Sequence, residues 1–231
     1  MDLSHTSPQI HCVSNFQDLV STPFHGDINA MYWNRPLIGD FVEIVNKIEV
    51  NENITVLDEE ELLALLLSEQ GQLAREILLQ DLKALTDYGA SPSLNIITCY
   101  DRDDTYSFFP RDVYSFHVDR SPLPVATFLC TYHGESSEIL PNDQAVQKIL
   151  VPELRDALKK IYPGTERDFE AFLIEHFFDL HYQPKPHAQP TRLRLGHIWK
   201  LAVDHPESPV LPCIHRAPKE KEGQKRLLLI C

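Results

Sequence analysis

The sequence predicts an α+β domain whose strands fold into a sandwich or barrel, and three observations predict it. Apolar residues recur at helical spacing from Asp58 to Gly89. Short runs rich in β-branched and aromatic residues then follow one another, between turn signals, as far as Cys231. Helical periodicity returns among them once, at about 142–182. Helices first, then strands carrying a helical insertion, is a segregated order rather than the alternation that builds a parallel α/β sheet. At 231 residues the chain fits one sizeable domain. We read 1–231 as a single domain, with a helical N-terminal part at 1–93 and a strand-rich core at 94–231.

Each element has its own signal. The first fifty residues alternate short apolar pieces with Pro, Asn and Gly, as in "INAMYWNRPLIGDFVEIV", and predict a strand or turn followed by a short helix. Asp58 with Glu61 three later resembles a capping box, and Gly89 is a stop, so 58–89 reads as one long helix or two broken near Gly71. "LNIITCY" (94–100) and "VYSFHVD" (113–119) read as two strands joined by the polar loop "DRDDTYSFFPRD"; "VATFLCTYHGESSEIL" supplies further strand with a turn at His133-Gly134. Two helices are predicted in the insertion, separated by Pro163-Gly164, and "QPKPHAQPT" is a stiff connector. Strands at "RLRLGHIWKLAV", "VLPCIHRA" and "KRLLLIC" close the chain.

Composition narrows the function classes. Hydrophobic residues at 43% and charged residues at 24% are ordinary for a globular protein. A formal charge of −13 repels phosphate backbones and anionic lipid, so neither nucleic acid nor membrane is an expected partner. The opening "MDLSHTSPQIHCVSNF" has no basic region followed by an apolar run, and reads as no signal peptide. Five cysteines with no CxxC pair argue against a disulfide framework or a zinc ribbon, and fit a reducing cytoplasm. Trp33 and Trp199 read as core or pocket-lining aromatics.

The chemistry-bearing residues begin at "SFHVDR". On a strand, residues two apart share a face at about 6.6 Å along the chain, so His117 and Asp119 can grip one ion. The plain alternative is that both serve strand ends, with Asp119 paired to Arg120. A metal needs a third ligand. His176 and His181, five apart on the expected second helix, do not share a face and read as polar points on it. His215 is favoured, with His205 and His197 as rivals, because ten residues separate it from Arg226, which opens the apolar run Leu227–Cys231. A guanidinium entering such a strand needs an anion, and a carboxylate would bind it bidentately.

This order, His-x-Asp, a distant His, then an Arg after ten intervening residues, resembles the iron(II) and 2-oxoglutarate-dependent oxygenases. "LNIITCYDRDDTYSFFPRDVYSFHVD", "TFLCTYHGESSEI" and "GHIWKLAVDHPESPVLPCIHRAP" resemble the prolyl-hydroxylase-like branch, and "HVD", "TYHG" and "HRAP" are also similar to a bacterial family of unassigned function. The resemblance covers 94–231 without the insertion. It implies a double-stranded β-helix (jelly-roll) core and a facial triad of His117, Asp119 and His215 on Fe(II). It also implies Arg226 on the far carboxylate of the cosubstrate 2-oxoglutarate, with Tyr100 as a second contact. Two imidazoles and one carboxylate leave three adjacent positions open on iron. The implied reaction oxidises an unidentified substrate and releases succinate and CO2. Three departures, the long acidic loop between Tyr100 and His117, the Gly134-Glu135-Ser136 turn and the large helical insertion at 142–182, leave the substrate class open. A binding or regulatory protein on the same scaffold and a cupin-like metalloenzyme are the other classes the residues allow.

Overall fold

The computed structural model describes residues 7–219, 221 and 223–231. Its twelve strands in chain order are β1 (Ile10–Val13), β2 (Ala30–Trp33), β3 (Ile54–Leu57), β4 (Ser93–Ile97), β5 (Ala126–His133), β6 (Glu138–Ile139), β7 (Ala145–Gln147), β8 (Tyr182–Pro184), β9 (Thr191–Arg192), β10 (Ile198–Ala202), β11 (His215–Arg216) and β12 (Arg226–Ile230). The α-helices are α1 (Phe16–Ser21), α2 (Phe41–Lys47), α3 (Glu59–Ala64), α4 (Glu69–Tyr88), α5 (Pro152–Ile161) and α6 (Phe169–Glu175). This is a mixed α+β architecture. No described helix is long and apolar enough to cross a membrane.

Seven strands form the large sheet in the order β1-β2-β10-β5-β12-β4-β3, antiparallel except for β1 against β2. Its central strands are buried on both faces, and the side-chain alternation sorts two cores. Phe128, Cys130 and Tyr132 of β5 and Leu227 and Leu229 of β12 meet Ala74, Leu78 and Leu85 of α4 on the helical face. Leu129, Leu228, Ile97, Trp199 and Leu201 face the other way, toward Ile139, Leu193 and Cys213.

Those last residues belong to a second layer of short strands. β11 pairs with β6 and β6 with β9, while β7 pairs with β8. His117 joins the two pieces: its N–H and C=O exchange 2.9 Å bonds with His215. On its other side, Val118 N–H donates to Leu180 C=O and Tyr182 N–H to Phe116 C=O. The hydrogen-bonded order is therefore β9, β6, β11, the 116–118 segment, the 180–184 segment, then β7.

A buried ionic cluster ties the helical layer to the large sheet. Arg35 forms a two-pronged pair with Asp81 of α4, Tyr132 of β5 donates to the same carboxylate at 2.6 Å, and Arg35 Nε donates to Gly196 C=O at 2.8 Å. Gly134 shapes the other end of β5. Its φ of +86° lies in the left-handed region, and a Cβ there would stand 2.7 Å from the Lys225 carbonyl oxygen and 3.0 Å from Arg226 Cα. The β12–β5 register shifts between Leu227 and Leu228, beside this turn. The glycine thus lets β12 enter the sheet with Arg226 as its first residue.

Several elements differ from the sequence expectation. The N-terminal part is not purely helical: it adds β1, β2 and β3 to the large sheet. The helix expected at 58–89 is two, with the Asp58–Glu61 capping box present, but the break falls at 65–68. Ser68 caps α4, and Gly71 lies inside its first turn. "VYSFHVD" is not a regular strand; it opens in a turn at 113–115, and its ladder bonds cluster at 116–118. The expected insertion helices are α5 and α6, but α6 stops at Glu175, and Phe178–Leu180 is a 3-10 turn leading into β8. The apolar Phe177, at a φ of +60°, has left the helix before that turn. Residues Met1–Thr6 of the opening stretch lie outside the described residues.

Removing one member of the Arg35–Asp81–Tyr132 cluster leaves a buried charge uncompensated. We expect Asp81→Ala to lower unfolding stability by about 3–5 kcal/mol, measured by urea denaturation, whereas truncating an exposed pair such as Lys83–Asp87 changes it by less than about 0.5 kcal/mol.

Candidate metal centre

Three of the sequence-predicted residues converge. One ligand atom from each of His117, Asp119 and His215 lies within 4.8 Å of the other two. His117 Nε2 is 3.9 Å from Asp119 Oδ1, and His215 Nε2 is 3.6 Å from Asp119 Oδ2. The backbone dictates this. His117 and His215 are direct antiparallel partners, so their side chains share a face, with ring centroids 4.6 Å apart. Asp119, two residues on from His117, projects to the same side.

The imidazoles are held in one tautomer by the same device. His117 Nδ1 lies 2.8 Å from Ser115 C=O, and His215 Nδ1 lies 3.2 Å from Cys213 C=O, each two residues upstream. A carbonyl only accepts, so each Nδ1 carries the proton and each Nε2 offers its lone pair toward Asp119. Asp119 is fixed by Thr127 of the neighbouring strand β5, whose hydroxyl donates to Oδ2 at 2.5 Å. Burial pushes the His117 pKa down to about 4, with His215 beside it acting in the same direction. Burial alone would raise the Asp119 carboxyl, but His215, the Thr127 hydroxyl and His117 together hold it below its ordinary value. Two neutral imidazoles and one carboxylate are the protonation states a divalent ion requires. Asp119 does not pair with Arg120, which instead bridges Asp179 and Asp204.

Arg226 is 2% exposed, and its Nη2 donates to Thr131 Oγ1 at 3.1 Å and Ser137 Oγ at 2.9 Å. It pairs with Ile97, which belongs to the core between the two strand layers. Ser137 directly precedes β6, the strand paired with His215, so the guanidinium sits on the β6 flank of the His117–His215 pair. Tyr100, beyond the end of β4, packs against that same core and meets Tyr114 edge-on, and the Tyr114 hydroxyl accepts from its N–H at 2.8 Å.

The rival histidines stand elsewhere. His197 is buried in a stack with Tyr32, and the half-buried His205 bonds Pro122 C=O. His181 is the residue the sequence reading set aside. It is not on a helix; it is an antiparallel partner of His117 on the side opposite His215, 5% exposed, with its ring centroid 6.0 Å from that of His117. Three imidazoles therefore stand in a row across three extended segments. Phe109 meets His181 edge-on, and Lys148 Nζ lies 5.0 Å from the centre of the Phe109 ring. Burial pushes the His181 pKa down to about 3, with His117 and Lys148 adding to the shift, and pushes Lys148 down to about 8. The "HYQPKP" run after α6, a polar alternation closed by prolines, was the available signal that the helix had already ended.

No family model, curated protein or solved structure matches this chain.

Buried neutral histidines make the metal-free protein acid-labile above the carboxylate range. In the unfolded chain His117, His181 and His197 take up protons near pH 6.5. In the folded chain they do so only near 4, 3 and 4. Between those values the unfolded state binds more protons, so stability falls as pH falls, by up to about 1.4 kcal/mol per pH unit for each histidine. Denaturation midpoints followed from pH 7.5 to 4.5 should show this slope, and His197→Phe, which keeps a ring against Tyr32, should reduce it.

Proposed function

We propose that the chain is a non-haem Fe(II)- and 2-oxoglutarate-dependent oxygenase on a double-stranded β-helix, acting on a substrate not yet identified. The observation that carries this reading is the cluster of His117, Asp119 and His215, whose two Nε2 lone pairs and one carboxylate converge while both Nδ1 protons are tied to backbone carbonyls. That donor set suits a divalent ion with open positions. The fold-level part of the proposal is supported by strand order: β10-β5-β12-β4 in one layer, and β9-β6-β11 with the 116–118 segment in the other. The two layers enclose the core between them.

Under this reading, His117, Asp119 and His215 hold iron, and iron with the keto acid supplies the oxidising power. The remaining work belongs to the chain. Ser115 and Cys213 carbonyls keep both imidazoles in the ligating tautomer, and Thr127 keeps Asp119 from turning away. Arg226, with Thr131 and Ser137 around it, receives the far carboxylate of 2-oxoglutarate, and Tyr100 closes the same side. Burial strengthens these charge-assisted contacts by excluding water.

Anaerobic addition of Fe(II) and then 2-oxoglutarate to the metal-free protein should produce the weak visible band of a chelated keto acid. His117→Ala should abolish it, and Arg226→Met should raise the apparent 2-oxoglutarate Kd by about 10–100-fold, the loss of one charge-assisted contact. Absence of the band in the unaltered protein overturns the oxygenase reading. An Arg226→Met variant that binds 2-oxoglutarate normally removes Arg226 from the site and favours a cupin-like metalloenzyme.

A further inference from the structure

The row of histidines has two unlike flanks. On the His215 flank, β11 leads to β6 and to Ser137, which holds Arg226. On the opposite flank stands His181, whose buried Nδ1 makes no hydrogen bond among the described residues. Leaving such a nitrogen unsatisfied costs its full desolvation penalty.

A second buried polar group lies beside it. Lys148 is 8% exposed, and its N–H donates to the His181 carbonyl at 2.8 Å. Its ammonium donates to Pro110 C=O and to Ser115 Oγ, which uses two of its three protons. Asp112 is the charge that offsets the burial of Lys148, yet Asp112 is already engaged by Arg102 at 3.6 Å. Phe109 touches both Lys148 and His181. One ammonium proton and one imidazole nitrogen, both withdrawn from water and both beside Phe109, are two donors for the two oxygens of a carboxylate.

We propose that His181 and Lys148 form the subsite for a carboxylate group of the substrate, on the side of the metal centre opposite Arg226. The proposal rests on the oxygenase reading for the word substrate, although the anion site stands on its own residues. A carboxylate there satisfies the orphaned imidazole nitrogen, with the imidazole donating, and gives the buried ammonium a counter-charge. A phosphate, which calls on more donors than these two, fits less well. The substrate class is therefore a small organic acid, or a chain end bearing a carboxylate, whose oxidised carbon lies between this anchor and the triad.

The test is calorimetric titration of the full chain, loaded with Fe(II) and 2-oxoglutarate under anaerobic conditions, with acetate, benzoate and glutarate. At least one should bind, and His181→Phe and Lys148→Met should each weaken it tenfold or more, while Lys148→Arg retains it. The keto-acid band should persist in all three variants, which also reports that they are folded. Binding of none of the three acids, or binding indifferent to both weakening variants, overturns the subsite. Loss of iron from His181→Phe overturns it too, since His181 would then be a fourth ligand. Failure of the oxygenase reading shows itself separately, as absence of the band in the unaltered protein; acid binding that still depends on His181 and Lys148 would leave the subsite standing.

Discussion

The cross-strand register at His117 is the constraint on which the centre depends. His117 is hydrogen-bonded on both sides, to His215 through a reciprocal pair of 2.9 Å bonds and to the 180–182 segment through its neighbours Phe116 and Val118. A slip of one residue on either side would turn one imidazole to the opposite face. The segment lacks the length of a regular strand, so its position is fixed from outside. Phe116, Val118, Leu140 and Ile214 belong to a small core on the face away from His117 and Asp119. Alternation does the sorting: Phe116 and Val118 go into that core, and His117 and Asp119 go to the site.

The large sheet supplies a second fixed point. Arg226 is the first residue of β12, and burying it at 2% exposure requires that the strand begin there and not one residue later. The left-handed Gly134 allows the chain before β12 to approach the end of β5, and the register shift after Leu227 follows. Thr127 and Thr131 stand on the same strand as this turn, one bonded to Asp119 and the other to Arg226. β5 therefore reaches both Asp119 and the Arg226 guanidinium, and the Arg35–Asp81–Tyr132 cluster anchors β5 to α4.

What was legible in the sequence follows from which periodicities are local. Period-two alternation survives in short segments: His117, Asp119 and His215 lie close together, and Arg226 opens a buried strand. The strand β2 and helix α2 fall in the stretch read as a strand or turn followed by a short helix, whereas β1 and β3 were not legible, because isolated four-residue runs carry too few periods to separate from loop. His181 was misplaced for the reverse reason. The apolar spacing of "FEAFLIEHFFDLHY" continues past the point where the backbone leaves the helix, since Phe172 and Phe178 pack into a core shared with Phe109, and that tertiary contact supplies the periodicity.

That shared core bears on how the site is completed. Phe109 comes from the loop after β4, while Ile149, Leu158, Phe169, Leu173 and Phe178 come from the insertion. Neither segment can bury its aromatics alone, so loop and insertion order each other, and the product of that packing is the placement of His181 and Lys148 beside His117. The triad is built by the strand layers and the opposite flank by an insertion with its own small core. Changes in the insertion's core can therefore reshape what binds beside the His117–Asp119–His215 cluster, whereas the reciprocal bonds between His117 and His215 are made within the strand layers.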